Sequence, residues 1–152
     1  MPQSRIRTAI AANAGFYSFP NKNLKFPYGI KNVTTNLQKS YSKRLVLLLG
    51  ELDNDPSLGT FRTTDLAMKQ GAHRLERGTT FFNANKKLGN TNHAQFNWTI
   101  DTVENTGHNY KKMSENAIEW IINHHSRLDP ESHESALKIT SSTISKSLDS
   151  IL

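Results

Sequence analysis

The segment Arg44-Leu45-Val46-Leu47-Leu48-Leu49-Gly50 constrains the fold more than any other stretch of the chain. Its apolar residues run without polar alternation, the pattern of a strand buried on both faces in a parallel sheet. It falls far short of the roughly 20 residues that a membrane helix needs, and no other apolar run comes closer. Two further segments read as strands. Ile6–Ala14 is rich in small residues and stops at Gly15, and Phe96–Val103 sets Phe96, Trp98, Ile100 and Thr102 on one face. Between the second and third strands, Thr64–Leu88 reads as helical, with Met68, Gly71, Leu75, Gly78 and Phe82 recurring at steps of three and four. Each glycine there costs the helix about 1 kcal/mol relative to alanine. The pair either lets the helix approach a neighbour closely or divides it near residue 71. After His108, a last helix would place Met113, Ala117, Trp120, Ile121 and His124 on a core-facing stripe. Strands alternating with helices predict an α/β fold, a parallel sheet of about three strands with crossover helices.

The 152 residues suffice for one domain, expected over 1–125, followed by a Ser-rich tail at 126–152. Within that tail, Glu134–Leu148 carries a weak amphipathic helical pattern. Residues 16–41 form a long loop whose Pro20, Pro27 and Gly29 break regular structure. Its aromatic residues suit either a binding segment or anchors to the surface. There is no cysteine, which excludes disulfides and thiolate metal sites and fits a reducing, cytoplasmic setting. Residues 1–50 hold eight basic residues and no acid, while the remainder carries a net −2. Such asymmetry marks either a solvated surface or a face for an anionic partner. The charges are spread rather than clustered, which makes nucleic acid an unfavoured partner.

Ligands of open parallel sheets bind at the carboxyl ends of the strands. Two chemically able residues follow such ends here: Asp53, three residues beyond Gly50, and His108, after Gly107 in the turn that closes the third strand. A carboxylate orienting an imidazole, whose ordinary pKa is about 6.5, is two thirds of a Ser-His-Asp triad. Asp55 is the alternative acid, since only Asn54 separates it from Asp53. The third member would sit on a Gly-x-Ser-x-Gly elbow, and the sequence contains none. The remaining histidines offer little. His124 and His125 are adjacent and diverge on a helix, and His73, His93 and His133 have no acid at ligand spacing, so no metal and no cofactor is expected.

Ala11-Ala12-Asn13-Ala14-Gly15-Phe16-Tyr17, Phe26-Pro27-Tyr28-Gly29, Leu47–Pro56, Gly71–Gly78 and Gly107-His108 together resemble, in that order, the C-terminal half of α/β-hydrolases of the polyhydroxyalkanoate-depolymerase and esterase-like kind. The resemblance covers residues 6 to about 123. It implies that the three strands are the last three of that fold, so that 1–125 would be a partial domain. Asp53 would lie on the acid-bearing turn and His108 on the histidine-bearing loop. The nucleophile and oxyanion donors of that family precede the matching region. The resemblance therefore implies the later portion of a serine-type hydrolase of an ester or related acyl substrate, a truncated gene product inactive alone. Its first strand would be an open edge through which another polypeptide could associate. The competing reading is a non-enzymatic binding protein that uses the basic, aromatic residues 1–50 for an anionic partner.

Overall fold

The computed structural model describes residues 6–57 and 60–124. The Ser-rich tail and its weak helical pattern lie outside them. The chain forms β1 (Thr8–Ala12), α1 (Leu37–Tyr41), β2 (Arg44–Gly50), α2 (Asp65–Met68), α3 (Arg74–Thr91), β3 (Trp98–Val103) and α4 (Tyr110–Asn123). The three strands make one parallel sheet in the order β1-β2-β3, with Ile10 beside Val46 and Leu47 beside Ile100. This is the α/β architecture expected from the alternation of patterns. The central position belongs to β2, and its residues from Val46 to Gly50 are all buried.

Both faces of β2 carry a core, which is why its sequence shows no alternation. On one face Leu47 packs with Tyr17, Phe81 and Phe82, and half-buried Phe96, Trp98 and Ile100 close around them. On the other, Leu48 packs with Val103 and Met113, beside Ile10 and Ala117. Tyr17 stacks on Phe81 at 4.6 Å between ring centroids, and Phe19 meets the same ring edge-on at 5.5 Å. The early part of the long loop is thus anchored by its aromatics. Tyr41 is fully buried and donates its hydroxyl to Asn85 at 2.9 Å.

The structure departs from the sequence patterns at element ends and in one helix. The first strand is Thr8–Ala12, shorter than Ile6–Ala14, because Asn13 turns the chain with a left-handed φ of 42°. The third begins at Trp98, since Asn97 donates its backbone N–H to Tyr41 O and its side chain to Ser42 O. Thr102 is exposed and does not extend the Trp98–Ile100 face. The loop 16–41 holds a short regular element after all. Past its last breaker, Asn36 caps α1 by accepting from Lys39 N at 2.9 Å. The helix expected over Thr64–Leu88 is two helices, α2 and α3, broken at Gly71, whose φ of 154° other residues rarely adopt. The face that α3 buries keeps Gly78 and Phe82 of the expected stripe but is completed by Arg74, Arg77, Phe81, Asn85 and Gly89, while Met68 is exposed and Leu75 only half-buried. Hydropathy misplaces that face because two of its members are arginines that spend their charged heads on internal acceptors.

The described residues divide into two units between Ala117 and Ile118. In the second, the end of α4, His124 stacks on Trp120 at 4.1 Å and its Nδ1 lies 2.8 Å from Trp120 O. Of the stripe expected on α4, Met113 is buried, whereas Ile121 is exposed. No helix among the described residues is long and apolar enough to cross a membrane.

Candidate active site

Gly50 and Val103 are register partners, so the turns that follow β2 and β3 leave the same edge of the sheet side by side. The first turn closes when Asp53 N donates to Gly50 O at 3.1 Å. The second is stitched to the first: Leu52 N donates to Thr106 O at 2.9 Å, Glu51 N to Val103 O at 3.0 Å, and Asn105 N to the Glu51 carboxylate at 2.9 Å. Asn13, at the end of β1, completes the knot. Its Oδ1 accepts from Gly50 N at 2.8 Å, and its Nδ2 donates to Gly107 O at 3.2 Å. One buried amide therefore joins all three strand ends.

This framework brings His108 Nδ1 to 3.1 Å from Asp53 Oδ2. The two residues differ sharply in exposure, 3% for Asp53 and 43% for the histidine side chain. A carboxylate that deep costs several kcal/mol of lost hydration unless it is paired. Arg74 supplies the partner, its Nη1 lying 3.2 Å from Asp53 Oδ1, and it is itself only 2% exposed. The other arm of Arg74 donates to Thr60 O, and Leu75 N donates to the Asp53 backbone carbonyl at 3.1 Å. Asp53 is thus held through side chain and backbone by the first turn of α3. The carboxylate selects the imidazole tautomer with its proton on Nδ1 and leaves the Nε2 lone pair to accept a proton. A cavity of about 290 Å³ lies beside the ring, lined by Ile10 and Ala12 of β1, Asn13, His108 and Met113.

Asp55 takes no part in this arrangement. Its Oδ1 accepts from Ser57 N at 2.8 Å and Ser57 Oγ at 2.7 Å, and those bonds hold its exposed carboxyl below the usual aspartate range. The other described histidines are also separate. His73 caps α3 by accepting from Glu76 N at 3.3 Å, and His93 is exposed in a turn. His125 and His133 lie outside the described residues. Among the described residues, no three His, Cys, Asp or Glu side chains are grouped to hold a metal. Sequence reasoning missed Arg74 and Asn13. Arg74 does have a signal: it opens a helix just after a glycine break, within reach of the preceding strand-end turn.

No family model and no curated protein sequence matches the chain. Solved structures do. Poly(aspartic acid) hydrolase-1 from Sphingomonas sp. KT-1 superposes with a TM-score of 0.71 at 36% identity, over 75% of this chain and 44% of that one. LpqC, a poly(3-hydroxybutyrate) depolymerase from Bordetella parapertussis, gives 0.66 at 25% identity, over 71% and 37%. The fold is α/β-hydrolase-like. The chain spans less than half the length of either hydrolase it matches. Within this α/β-hydrolase-like sheet, β1 pairs with β2 alone among the described residues.

Proposed function

We propose that Asp53 and His108 are the acid and the base of a serine-type hydrolase site that cleaves an ester or related acyl bond. The serine and the oxyanion donors would come from polypeptide outside residues 1–152, because no Gly-x-Ser-x-Gly occurs within them. The observation that carries this reading is the contact between buried, arginine-paired Asp53 and the half-exposed His108 ring at the carboxyl edge of the sheet. Similarity to two polymer hydrolases supports the acyl chemistry. The open side of β1 and the cavity beside His108 are where the serine-bearing segment would dock.

The proton path follows from the tautomer. As the serine oxygen attacks the acyl carbon, its proton passes to His108 Nε2, and Asp53 steadies the imidazolium through Nδ1–H. The same proton then goes to the leaving group as its bond to the acyl carbon breaks. Water repeats the sequence on the acyl-serine and releases the acid. Arg74 and Asn13 touch no reacting atom. Arg74 fixes the carboxylate, and Asn13 fixes the loop that carries the histidine. Because triad members act as a unit, the chain alone should show only background hydrolysis.

Joining the portion of the poly(aspartic acid) hydrolase that this chain does not match to this chain tests the reading. The chimera should hydrolyse p-nitrophenyl butyrate. Asp53→Asn should lower kcat by about 10⁴-fold, as loss of the orienting carboxylate does in serine proteases, and His108→Gln by at least as much. Asp55→Asn should leave the rate unchanged. Turnover that survives His108→Gln would sink the proposal.

A further inference from the structure

We propose that the cavity enclosed by loop residues 19–28, the α2 segment and α3 binds a free medium-chain alkyl carboxylate, an apolar chain with one anionic head. The cavity is separate from the proposed hydrolase pair, since neither Asp53 nor His108 lines it, and the proposal does not rest on the hydrolase reading.

The cavity holds about 470 Å³, within the roughly 300–1,000 Å³ of small-molecule pockets. Its walls are set before any ligand arrives. The loop closes on itself through Phe19 N to Tyr28 O at 3.0 Å, Ile30 N to Asn21 O at 2.9 Å and Lys31 N to Leu24 O at 2.8 Å. Gly29 permits that closure, because an added Cβ would lie 2.5 Å from both Leu24 Cβ and Leu24 O. Gln70, buried just beyond α2, grips the start of the loop by donating to Tyr17 O at 2.7 Å and accepting from Tyr17 N at 2.9 Å. Tyr28 ties the loop to the start of α2. Its hydroxyl lies 2.6 Å from Thr64 Oγ1 and accepts from Arg62 Nη1 at 3.2 Å. The strap 60–62 that carries Arg62 is itself held, at Thr60 O by Arg74 and at Arg62 O by Arg77.

These bonds decide the chemistry of the lining. Both amide atoms of Gln70 and the Tyr28 hydroxyl are spent on the frame. What remains is largely apolar, with Phe19, Leu24, Leu66 and Ala84 on the walls, and Leu66 is an exposed leucine. Covering such a surface is favourable in proportion to the apolar area removed from water. Charge enters the cavity through Lys22 and Lys69 alone. Both are exposed, neither has a carboxylate partner among the described residues, and no acidic residue lines the cavity. A lysine can lay its aliphatic stem along an apolar wall and keep its ammonium at the rim. An apolar hollow rimmed by two ammonium groups repels a cation, gives a neutral alcohol no ion pair, and offers a carboxylate a charge-assisted contact while its chain is covered. One hollow of this size with one charged rim suits a single head and a single chain.

Titration calorimetry of sodium decanoate into the full chain tests the proposal, with amide chemical shifts to locate the ligand. Decanoate should saturate one site and shift residues 19–28, 66–70 and 84. Octanoate, two methylenes shorter, should bind about tenfold more weakly, and so should 1-decanol, which lacks the charge. Combining Lys22→Gln with Lys69→Gln should weaken decanoate about tenfold, the loss of a charge-assisted contact, and leave 1-decanol unchanged. Lys31→Gln is the control, on a neighbouring cavity that Lys22 also lines, and it should change nothing. Leu66→Asp alters an exposed side chain and places a carboxylate on the wall, so it should abolish decanoate binding while circular dichroism shows an intact fold. Absence of decanoate binding, equal binding of decyltrimethylammonium, or a Lys31→Gln effect as large as that of the lysine pair would overturn the proposal. So would decanoate binding that survives Leu66→Asp, or shifts centred on Ile10, Met113 and Ala117, which line the cavity beside His108. Sedimentation with phosphatidylglycerol vesicles through the same lysines, without one-site saturation by decanoate, would overturn it in favour of a lipid surface. None of these readouts needs a serine, so failure of the hydrolase reading and failure of this one are separate results.

Discussion

Gly50→Ala is the sharpest perturbation of the knot that joins the two turns. Gly50 ends β2 with its φ outside the left-handed region, so alanine there adds no backbone strain and acts through volume alone. An added Cβ would lie 2.4 Å from Thr106 O, 2.9 Å from Gly107 O and 3.1 Å from Asn13 Nδ2. Two of these neighbours are backbone atoms that cannot swing aside like a flexible side chain. An ordinary carbon–oxygen contact would require the His108 loop to retreat by about 1 Å. Overpacking of this kind costs about 1–3 kcal/mol. The same retreat would stretch the 3.1 Å contact between Asp53 and His108 beyond hydrogen-bond range. Urea unfolding should therefore show a loss of about 2 kcal/mol, and the low-field Nδ1 proton of His108 should weaken or vanish from the NMR spectrum. Gly15→Ala is the internal control. Its added Cβ meets nothing within 4 Å and its φ lies outside the left-handed region, so it should be neutral or stabilise by up to about 1 kcal/mol. If Gly50→Ala unfolds within about 0.5 kcal/mol of the parent and keeps the Nδ1 signal, close backbone approach does not set the geometry of the pair.

Arg74→Met should cost about 3–5 kcal/mol in urea unfolding, because it strands a carboxylate that is 3% exposed; a loss below about 1 kcal/mol would mean that water or another group already compensates Asp53. Tyr17 gives a test in pH. Burial pushes its hydroxyl up to about 12, with the Ala14 backbone only partly offsetting the rise. The folded state thus holds that proton longer than the unfolded chain does. The associated stability is fully present below about pH 10 and is lost between 10 and 12. At pH 11.5 the parent should have lost about 2 kcal/mol more than Tyr17→Phe, measured as the difference between their urea unfolding free energies at pH 9 and 11.5. Equal alkaline losses in the two proteins would contradict the burial argument.

The sheet was legible because β2 is buried on both faces, and a run such as Val46–Leu49 has few other structural uses. Asp53 and His108 were legible for a related reason. Parallel strands deliver their following turns to one edge, so position in the chain already implies neighbourhood in space. The choice between Asp53 and Asp55 was not legible. It depends on Ser57, which occupies Asp55 through an Asx-type turn, and on an arginine twenty-one residues away that makes burial of Asp53 affordable. The buried face of α3 was hidden for the same cause. Hydropathy assigns arginine to solvent, yet Arg74 and Arg77 are interior because a carboxylate and backbone carbonyls meet them. Asn13 gave no signal of its own, since a bridging amide is recognisable only once three strand ends stand together.

The exposure gradient across the pair gives these details a direction. Asp53 is locked on four sides: by Arg74, by the His108 ring, by Leu75 N on its carbonyl and by its own N–H on Gly50. His108 has the 3.1 Å contact to Asp53 and also lines a cavity walled in part by β1. An acid needs rigidity to select a tautomer, whereas a base needs access to the proton it will take. In the proposed site, Asp53 would supply the first and the half-exposed His108 the second. The basic surface follows the same division. Arg74 and Arg77 are buried and held by internal acceptors, whereas Arg62, on the strap they hold, is exposed and bonds the Tyr28 hydroxyl. A surface carboxylate introduced nearby should therefore pair with Arg62 without weakening the Asp53–His108 contact. Thr64→Glu is such a change, two residues from Arg62 and beside the Tyr28 hydroxyl. Loss of the His108 Nδ1 proton signal in that variant would mean that strap and site are one coupled unit, and the division of labour among the arginines would fall.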